Sequence, residues 1–452
     1  MGQSFRLTAM VMYGFKSYTP QPQNSNHKQK RIFLASKEYT HQILTDERSF
    51  SFESGMTKFF GLTWINKLHD GTFFHDMDTY ARGFVAQRMQ KVVPEIWSIF
   101  EHRVREMVEI SEPGKPVELQ HHVQAIMAEA TNCIFFGQGY ANPNNVKSVV
   151  DLAEDIAELL GIYQNQSFLG RKLPWLWKPL TWVKIVLFRI PLHIGFTFAR
   201  TLWTDISKMA ESPETKDDSL ISYLVRAYAS PDGHLSVRTR MWIMVLILTF
   251  LFASLHQTAT IMIWVTFNLA LRPDSQDYLH DEISSIFTSR DPSYSKHIID
   301  AKTMQDAVKT DSFIREVLRM KGDLVNLVRA PVRDIELGGY IIPKGSLVFP
   351  VTHLSYRSPE FVTKPEEFDG GRWIGSGKSA AMTGPGYLAF GLGRWACPGR
   401  LLAVMELKCW VFALLKYSKV ELGGDFEILD PFNITSVPPR GDIMIKRRGN
   451  YV

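Results

Sequence analysis

The chain has 452 residues, 45 % of them hydrophobic and 21 % charged, a balance that is ordinary for a folded globular protein. Its 51 lysines and arginines exceed the 46 aspartates and glutamates only slightly, so we expect no nucleic acid partner. The three cysteines exclude a disulfide scaffold, and without a C-x-x-C pair a structural zinc site is not indicated.

Helical periodicity dominates the chain. Apolar residues recur at three- and four-residue spacing, which predicts helices over 83–110, 118–135, 147–161, 199–209, 238–271, 275–288 and 309–320. Gly338-Gly339 indicates a hairpin turn, and short strand-like runs lie at 31–35, 332–337, 340–342 and 346–351. The chain is therefore predicted to be mainly α, with one small sheet near the N-terminus and another after residue 325.

Two apolar stretches raise the question of a membrane. The run from Met241 to Leu255 reaches His256-Gln257 before the roughly 20 apolar residues that a membrane span needs, so we favour a buried core helix over a single-pass span. The first residues do not read as a signal peptide, because Arg6 interrupts a short apolar run. We therefore expect no N-terminal membrane anchor in this chain.

The second stretch, residues 167–203, mixes tryptophans with basic residues. Trp favours the membrane interface, and Lys and Arg can extend to lipid headgroups. A peripheral membrane contact and an aromatic-rich core layer both fit this composition, and the sequence leaves them equally open. The residues concerned are Trp175, Trp177, Trp182, Trp203, Arg171, Lys172, Lys178, Lys184 and Arg189.

The most informative segment runs over residues 390–400 and reads F-G-L-G-R-W-A-C-P-G-R. Cys397 follows a glycine-rich loop and precedes an apolar helical pattern over 401–417. Backbone amides at the start of a helix favour an anion, so a thiolate would be stabilised there, and a thiolate is a metal ligand. A buried structural cysteine in front of a helix is the alternative.

The residues around Cys397 suit a flat cofactor with anionic groups. Gly391, Gly393 and Gly399 allow the backbone to approach closely. Phe390 can shield the sulfur from water, and Arg394 offers a fixed positive charge.

This segment resembles the heme-binding signature of the cytochrome P-450 family, in its F-G-x-G-R-x-x-C-x-G form. The resemblance implies heme b as the cofactor, with Cys397 as the axial iron ligand. Phe390, Gly391, Arg394 and Gly399 then line the cofactor. It also implies the family's fold, a large helical domain with a long central helix over the heme and small β-sheets.

The resemblance extends over nearly the whole chain. It implies a single catalytic domain over 1–452, with a small-sheet region over about 1–75 and a helical heme-binding body over about 76–452. The segment T-D-S-F-I-R-E-V-L-R resembles the family's E-x-x-R helix, and P-E-E-F-D-G-G-R-W resembles the segment that supplies the third partner. Glu316, Arg319 and Arg372 would then form a structural network that holds the cysteine loop.

Two arginines are expected to contact the heme propionates. R-A-P-V-R-D resembles the family's propionate-binding hairpin, which assigns Arg329 to that role and leaves Arg333 as the second choice. The helix around Arg82 and Arg88 resembles another propionate-binding segment of the family, although neither arginine has the usual Trp four residues earlier. A solvated helix face is the alternative there.

The central helix departs from the family pattern A-G-x-D/E-T-T/S. The matching residues are Ala253, Ser254, Leu255, His256, Gln257 and Thr258. His256 agrees with fungal members, but Gln257 stands where the family has a Thr that holds a proton-donating water. An amide can donate and accept hydrogen bonds but cannot relay a proton as a hydroxyl does. Thr258 points about 100° away on an ideal helix. Ala253, His256, Gln257 and Thr258 are the predicted catalytic residues.

The resemblance implies a heme-thiolate monooxygenase of the fungal secondary-metabolism type. It would oxidise an apolar small molecule, a terpenoid or related metabolite, using O2 and electrons from an NADPH-cytochrome P-450 reductase that docks near Arg394, Arg400 and Lys408. It would lie on the cytosolic face of the endoplasmic reticulum membrane, with a cytoplasmic protein as the alternative. Gln257 keeps open a heme-thiolate isomerase or dehydratase, and a non-catalytic membrane-associated heme protein is the third possibility.

Overall fold

The computed structural model describes most of the chain. The described residues are 8–10, 17–18, 32–162, 164, 167–211, 218–230, 232–288, 299–321, 323–429, 433 and 435–449. Arg6 and residue 31, the first of the strand-like run over 31–35, lie outside them.

Helices make up most of the described residues, as the fold class predicted. They are α1 (Lys37–Thr45), α2 (Phe52–Phe60), α3 (Phe73–Ile110), α4 (Leu119–Phe136), α5 (Pro143–Leu160), α6 (Phe168–Lys172), α7 (Pro174–Lys184), α8 (Ile190–Glu211), α9 (Leu220–Tyr228), α10 (Val237–Ala270), α11 (Pro273–Thr288), α12 (Ala301–Asp306), α13 (Val308–Met320), α14 (Thr352–Tyr356) and α15 (Arg400–Tyr417). Shorter 3-10 turns span Thr63–Gly71, Gln138–Tyr140 and Gly393–Trp395, and a π-helical turn spans Ile185–Arg189.

The strands are short and lie at the edges of the helical body. They are β1 (Thr8–Met10), β2 (Ser17–Tyr18), β3 (Ile32–Ala35), β4 (Phe50–Ser51), β5 (Ala330–Pro331), β6 (Ile335–Leu337), β7 (Tyr340–Ile342), β8 (Leu347–Pro350), β9 (Ser418–Leu422) and β10 (Ile443–Arg447). The largest sheet has the order β2-β1-β3-β8, in which β3 and β8 are parallel. The other sheets are the antiparallel pairs β4-β5, β6-β7 and β9-β10.

The predicted helices match α3, α4, α5, α8, α10, α11 and α13 to within a few residues at most ends. The largest difference is α3, which begins at Phe73 rather than residue 83 and continues through Pro94. The start F-F-H-D-M-D-T-Y has apolar residues at 73, 77 and 80, a helical spacing that the prediction did not include. The predicted hairpin is confirmed, because β6 and β7 pair around Gly338 and Gly339, both with positive φ.

The core is built around the long helix α10. The side chain of Ser236 caps its first turn by accepting a hydrogen bond from the Thr239 amide at 3.1 Å. Apolar residues surround the helix on most sides, and its C-terminal half is buried from Thr258 to Ala270. By length and composition α10 could span a membrane, but 67 % of its most apolar window is buried inside the protein. The prediction of a buried core helix agrees with this packing.

Residues 168–192, in α6, α7, the π-helical turn and the start of α8, carry a row of exposed apolar side chains, which we call the 168–192 face. Trp175 is 71 % exposed and Leu192 is 74 % exposed, whereas Trp177 is buried. Neither alternative, a peripheral membrane contact or an aromatic-rich core layer, therefore holds for every tryptophan of this stretch. The large exposed members of the face are Phe168, Leu173, Trp175, Leu180, Val183, Val186, Leu187, Phe188 and Leu192.

The basic residues of this stretch bear on the two alternatives that the sequence left open. Lys178 donates to the carbonyl oxygen of Phe60 at 3.0 Å, Lys184 pairs with Glu158, and Arg189 pairs with Asp155 at 2.9 Å. Acidic residues of α5 and the C-terminal end of α2 attract these side chains. Three of the five basic residues of this stretch therefore contact protein rather than extend towards lipid headgroups.

Candidate heme-thiolate site

The cysteine loop reverses the chain in front of α15. The amide of Cys397 donates to the carbonyl oxygen of Phe390 at 2.8 Å, which closes the loop on itself. Gly391 and Gly393 have φ values of 78° and 73°, a region that favours glycine. A Cβ atom at Gly393 would lie 3.1 Å from the Leu44 carbonyl oxygen, so α1 packs directly under the loop.

The sulfur of Cys397 meets the backbone as the sequence predicts. The amides of Gly399 and Arg400 donate to it, and together with the charges of Arg400 and Arg82 they favour the thiolate. Desolvation is nevertheless the largest effect and raises the pKa of the thiol. Residue Cys397 is exposed, although protein atoms lie close enough to its thiol to desolvate it. Coordination to a metal deprotonates such a thiol.

Arg82 reaches this loop from α3. Its Nη2 donates to the carbonyl oxygens of Arg394 at 2.8 Å and Ala396 at 3.0 Å, while its Nε donates to Asp78 Oδ1 at 2.8 Å. The structure thus directs Arg82 to the loop backbone, because Asp78, one turn earlier, fixes its guanidinium there. Arg88, the neighbouring candidate, pairs with Asp218.

Glu316 joins α13 to the segment that precedes the cysteine loop. It is fully buried and accepts from Arg319 Nε at 2.9 Å, from Arg372 Nε at 3.0 Å and from the Trp373 indole at 3.1 Å. Burial is the largest single effect and opposes its charge, but the hydrogen bonds and charge of Arg319, together with hydrogen bonds from the Asp369 amide and Arg372, outweigh it, so the pKa of Glu316 is lowered. Arg319 also donates to the Tyr356 carbonyl oxygen at 2.9 Å, which links the network to α14.

Arg329 is the second cation of the site and is 1 % exposed. Its Nη1 donates to the Val328 carbonyl oxygen, whereas its Nη2 is buried without a hydrogen-bond partner among the described residues. Burial lowers its pKa to about 10, so it stays charged at neutral pH. Its guanidinium lies 5.0 Å from the ring of Phe52. Arg333, the second choice, is exposed beyond β5.

The four predicted catalytic residues divide into two pairs on α10. Ala253 is exposed and Gln257 is half-buried, so the i and i+4 positions form an open face on an otherwise buried helix. His256 is buried and stacks on Phe252 at 5.6 Å, and burial lowers the pKa of His256 to about 4. Thr258 is buried, as its position on an ideal helix predicts.

The side-chain amide of Gln257 is the polar group of this open face. Its Nε2 atom is buried and has no hydrogen-bond partner within the part of the chain that the structure describes. One turn earlier, Ser254 Oγ lies 3.5 Å from Thr131 Oγ1 of α4. The open face therefore ends in an amide that can donate to a molecule bound against the helix.

A family model described as Cytochrome P450 matches residues 6–445 of this sequence. The chain belongs to the cytochrome P450 family. The heme-binding signature predicted this membership, and the mainly α fold with small sheets is consistent with it. Members of the family bind heme b, so the family implies this cofactor here.

Relatives within the family are distant. Cytochrome P450 monooxygenase 71 of Postia placenta is 26 % identical over 316 residues, which cover 68 % of this chain and 60 % of the relative. Cytochrome P450 monooxygenase ltmQ of Epichloe festucae var. lolii is 24 % identical over 424 residues, covering 85 % and 75 %. Cytochrome P450 monooxygenase gliF of Aspergillus fumigatus is 30 % identical over 184 residues, covering 38 % and 36 %.

The described residues fit heme b. Cys397 is exposed and accepts two backbone amides at its sulfur, and Arg329 presents a buried, charged Nη2 that lacks an acceptor among the described residues, as a propionate requires. At Gly391 a Cβ atom would lie 3.4 Å from the Trp395 carbonyl oxygen, so glycine there lets the loop close on itself. These are the residues that would hold an anionic macrocycle and its iron.

Sequence reasoning missed two neighbours of the site and misplaced one residue. Asp78 stands four residues before Arg82, and this i, i+4 spacing of opposite charges could have revealed the pair. Trp395 stacks on Phe52 at 4.9 Å, a contact that no local pattern indicates. Lys408, expected to contact a reductase, is buried and pairs with Asp311 at 2.8 Å, because α15 is buried on nearly every side.

Proposed function

We propose that this protein is a heme-thiolate monooxygenase that inserts oxygen into an apolar small molecule. The single observation that carries the proposal is the cysteine loop, in which Cys397 is exposed while two helix-start amides donate to its sulfur. Bound heme supplies oxygen activation, and thiolate ligation favours O–O cleavage.

The chain's own residues position the cofactor and the substrate. Cys397 is the proposed axial ligand, Arg329 donates to a propionate, and the Glu316 network holds the segment that leads into the loop. The face of Ala253 and Gln257 receives the substrate, and the Gln257 amide orients a water or a substrate hydroxyl by donating from Nε2. His256 and Thr258 support the helix from its buried side.

Electrons come, in this proposal, from an NADPH-dependent flavoprotein reductase. Such a partner presents acidic groups to a basic surface. Arg394 is exposed beside the cysteine loop and Arg400 is half-buried at the start of α15, so both remain proposed contacts. Lys408 is excluded from this surface by its burial.

The substrate is proposed to be a terpenoid or a related secondary metabolite, and the protein is proposed to act on the cytosolic face of the endoplasmic reticulum membrane. The 168–192 face supports a peripheral contact with lipid, because exposed apolar side chains of this number are unusual on a soluble surface. Such a contact delivers apolar substrates without passage through water.

One observation favours a second function. A residue with no hydroxyl, Gln257, stands at the proton-relay position of the family, which suits a heme-thiolate isomerase or dehydratase that needs no external electrons. The deciding experiment supplies the heme-loaded protein with reductase, NADPH and a terpenoid panel under isotopically labelled O2. Reductase-dependent products that carry the label support the monooxygenase.

Unlabelled product in the absence of reductase, or turnover of a peroxide substrate, would instead support the isomerase. Cys397→Ala is the matched control, since either function requires the thiolate. No turnover of any kind, with heme bound, would favour the non-catalytic heme protein.

A further inference from the structure

Arg329 and Arg82 differ in which of their guanidinium donors already have a hydrogen-bond acceptor. Arg329 keeps a buried Nη2 without an acceptor among the described residues. Arg82, in contrast, donates from its Nε to Asp78 and from its Nη2 to two backbone carbonyl oxygens. A propionate therefore finds an available donor on Arg329, whereas Arg82 has only its Nη1 to offer.

The two carbonyls that Arg82 contacts belong to Arg394 and Ala396, which closely precede Cys397 in the chain. They lie on the 3-10 turn Gly393–Trp395 and the residue after it. The Cys397 amide is itself held by the Phe390 carbonyl. Arg82 therefore holds the loop by a second set of hydrogen bonds besides the loop's own, from a helix residue more than 300 positions away in the sequence.

Asp78 gives this contact its direction. Its side chain is 11 % exposed, and it accepts from Arg82 Nε at 2.8 Å while Arg394 Nη2 lies 3.8 Å away. A guanidinium is a planar fork, so fixing its Nε edge also fixes the direction of its Nη2 hydrogens. Asp78 therefore determines where Arg82 donates, and it draws Arg394 towards the same corner of the loop.

We propose that Asp78 and Arg82 form a brace that positions the sulfur of Cys397 for iron, and that Arg82 is a positioning residue rather than a propionate ligand. The inference rests on the proposed role of Cys397 as the axial ligand.

The test compares four variants of the heme-loaded protein: Arg82→Gln, Arg82→Lys, Asp78→Asn and Arg88→Gln. Arg88→Gln is the matched control, because Arg88 forms an arginine–aspartate pair on the same helix without touching the loop. Three quantities are measured: the thermal midpoint, the rate of heme transfer to excess apomyoglobin, and the ratio of thiolate-type to neutral-thiol-type carbon monoxide spectra after reduction.

A brace predicts that Arg82→Gln lowers the spectral ratio about tenfold, the size expected when charge-assisted hydrogen bonds are lost. Asp78→Asn lowers it in the same direction by a smaller factor, and Arg82→Lys, which keeps the charge but not the fork, gives an intermediate ratio. The control keeps the wild-type ratio even where its thermal midpoint falls, so a general loss of stability does not imitate the effect.

If Arg82 instead bound a propionate, the heme-transfer rate would change and the type of carbon monoxide spectrum would not. Arg82→Gln would then accelerate heme transfer while the spectra stay thiolate-type, and Asp78→Asn would slow heme transfer by releasing Arg82. Either result overturns the brace, as does an unchanged ratio in Arg82→Gln. Absence of the thiolate-type spectrum in the wild type would instead overturn the proposed function, which separates the two failures.

Discussion

The cysteine side of the molecule and the 168–192 face are built in different ways. On the cysteine side, ionic side chains are satisfied by partners far apart in sequence, such as Glu316 with Arg372 and Arg82 with the loop carbonyls. On the 168–192 face the basic side chains pair with acidic residues of α5, and apolar side chains such as Trp175 are exposed to solvent. The first region binds a fixed group, whereas the second suits a fluid, apolar environment.

Breaking the Glu316 network should have the largest effect. Glu316→Gln leaves the buried cation Arg319 without its counter-charge, which costs about 3–5 kcal/mol. We expect little soluble, heme-loaded protein. Glu366→Gln is the control, since Glu366 pairs with Arg357 at the surface, where such pairs contribute at most about 1 kcal/mol. Equal heme content in both variants would contradict the account.

The same network gives a pH dependence. Because the pKa of Glu316 is lowered in the fold, its charge stabilises the protein above the ordinary glutamate value of 4.5. This contribution is lost as the pH falls through the lowered pKa. Acid unfolding of the wild type, followed by the release of heme, should therefore begin below that ordinary value.

Removing apolar side chains from the 168–192 face should leave the fold intact and weaken membrane binding. Trp175→Ser with Phe188→Ser removes two side chains that are 71 % and 66 % exposed, and we expect binding at least about tenfold weaker. Flotation with phospholipid vesicles measures the effect. Ile110→Ser, equally exposed at the end of α3, serves as the control. Unchanged flotation of the double variant would show that the face does not contact lipid.

Restoring the family's hydroxyl should change the chemistry only modestly. In Gln257→Thr we expect the yield of product per NADPH to be preserved or raised, by at most about tenfold, a small part of what a positioned proton donor can contribute. Thr260→Val is the control, because the Thr260 hydroxyl is buried and donates to the His256 carbonyl. A collapse of product formation would assign Gln257 a role of its own.

The smallest predicted effect concerns Glu406 on α15. Burial raises the pKa of its carboxyl to about 8, and its Oε1 has no hydrogen-bond partner among the described residues. In the folded protein the Glu406 carboxyl therefore keeps its proton up to about pH 8, whereas in the unfolded chain it loses the proton above pH 4.5. The free energy of unfolding therefore falls as the pH rises from 4.5 to 8.

Glu406→Gln removes this penalty. We expect the apparent melting temperature to rise by a few degrees at pH 8 and to be unchanged at pH 5, as judged by thermal scans. Glu336→Gln, on an exposed strand position, should be neutral at both values. A lower melting temperature for Glu406→Gln at pH 8 would show that the carboxylate is paired.

Local patterns predicted the parts of the fold that depend on local contacts. Apolar periodicity placed α10 and α13 to within one residue at each end, and Gly338-Gly339 placed the β6–β7 hairpin. The signature around Cys397 predicted the family correctly, because a fixed cofactor demands the same residue types at the same spacing.

Contacts between distant segments could not be predicted in this way. The parallel pairing of β3 with β8 joins residues more than 300 positions apart, and no periodicity records it. Lys408 was misplaced because a basic residue on an apolar helix normally lies outside, whereas here Asp311 and the Met304 carbonyl hold it inside. Whether the apolar side chains of the 168–192 face are exposed likewise depends on which distant segments pack against them in the fold.

The most direct measurement is the carbon monoxide difference spectrum of the reduced, purified protein, recorded beside Cys397→Ala. Heme held by the Cys397 thiolate predicts a red-shifted, thiolate-type Soret band in the wild type that disappears in the variant. A protein without heme, a band of the histidine-ligated type, or a thiolate-type band that survives in Cys397→Ala would contradict the central claim.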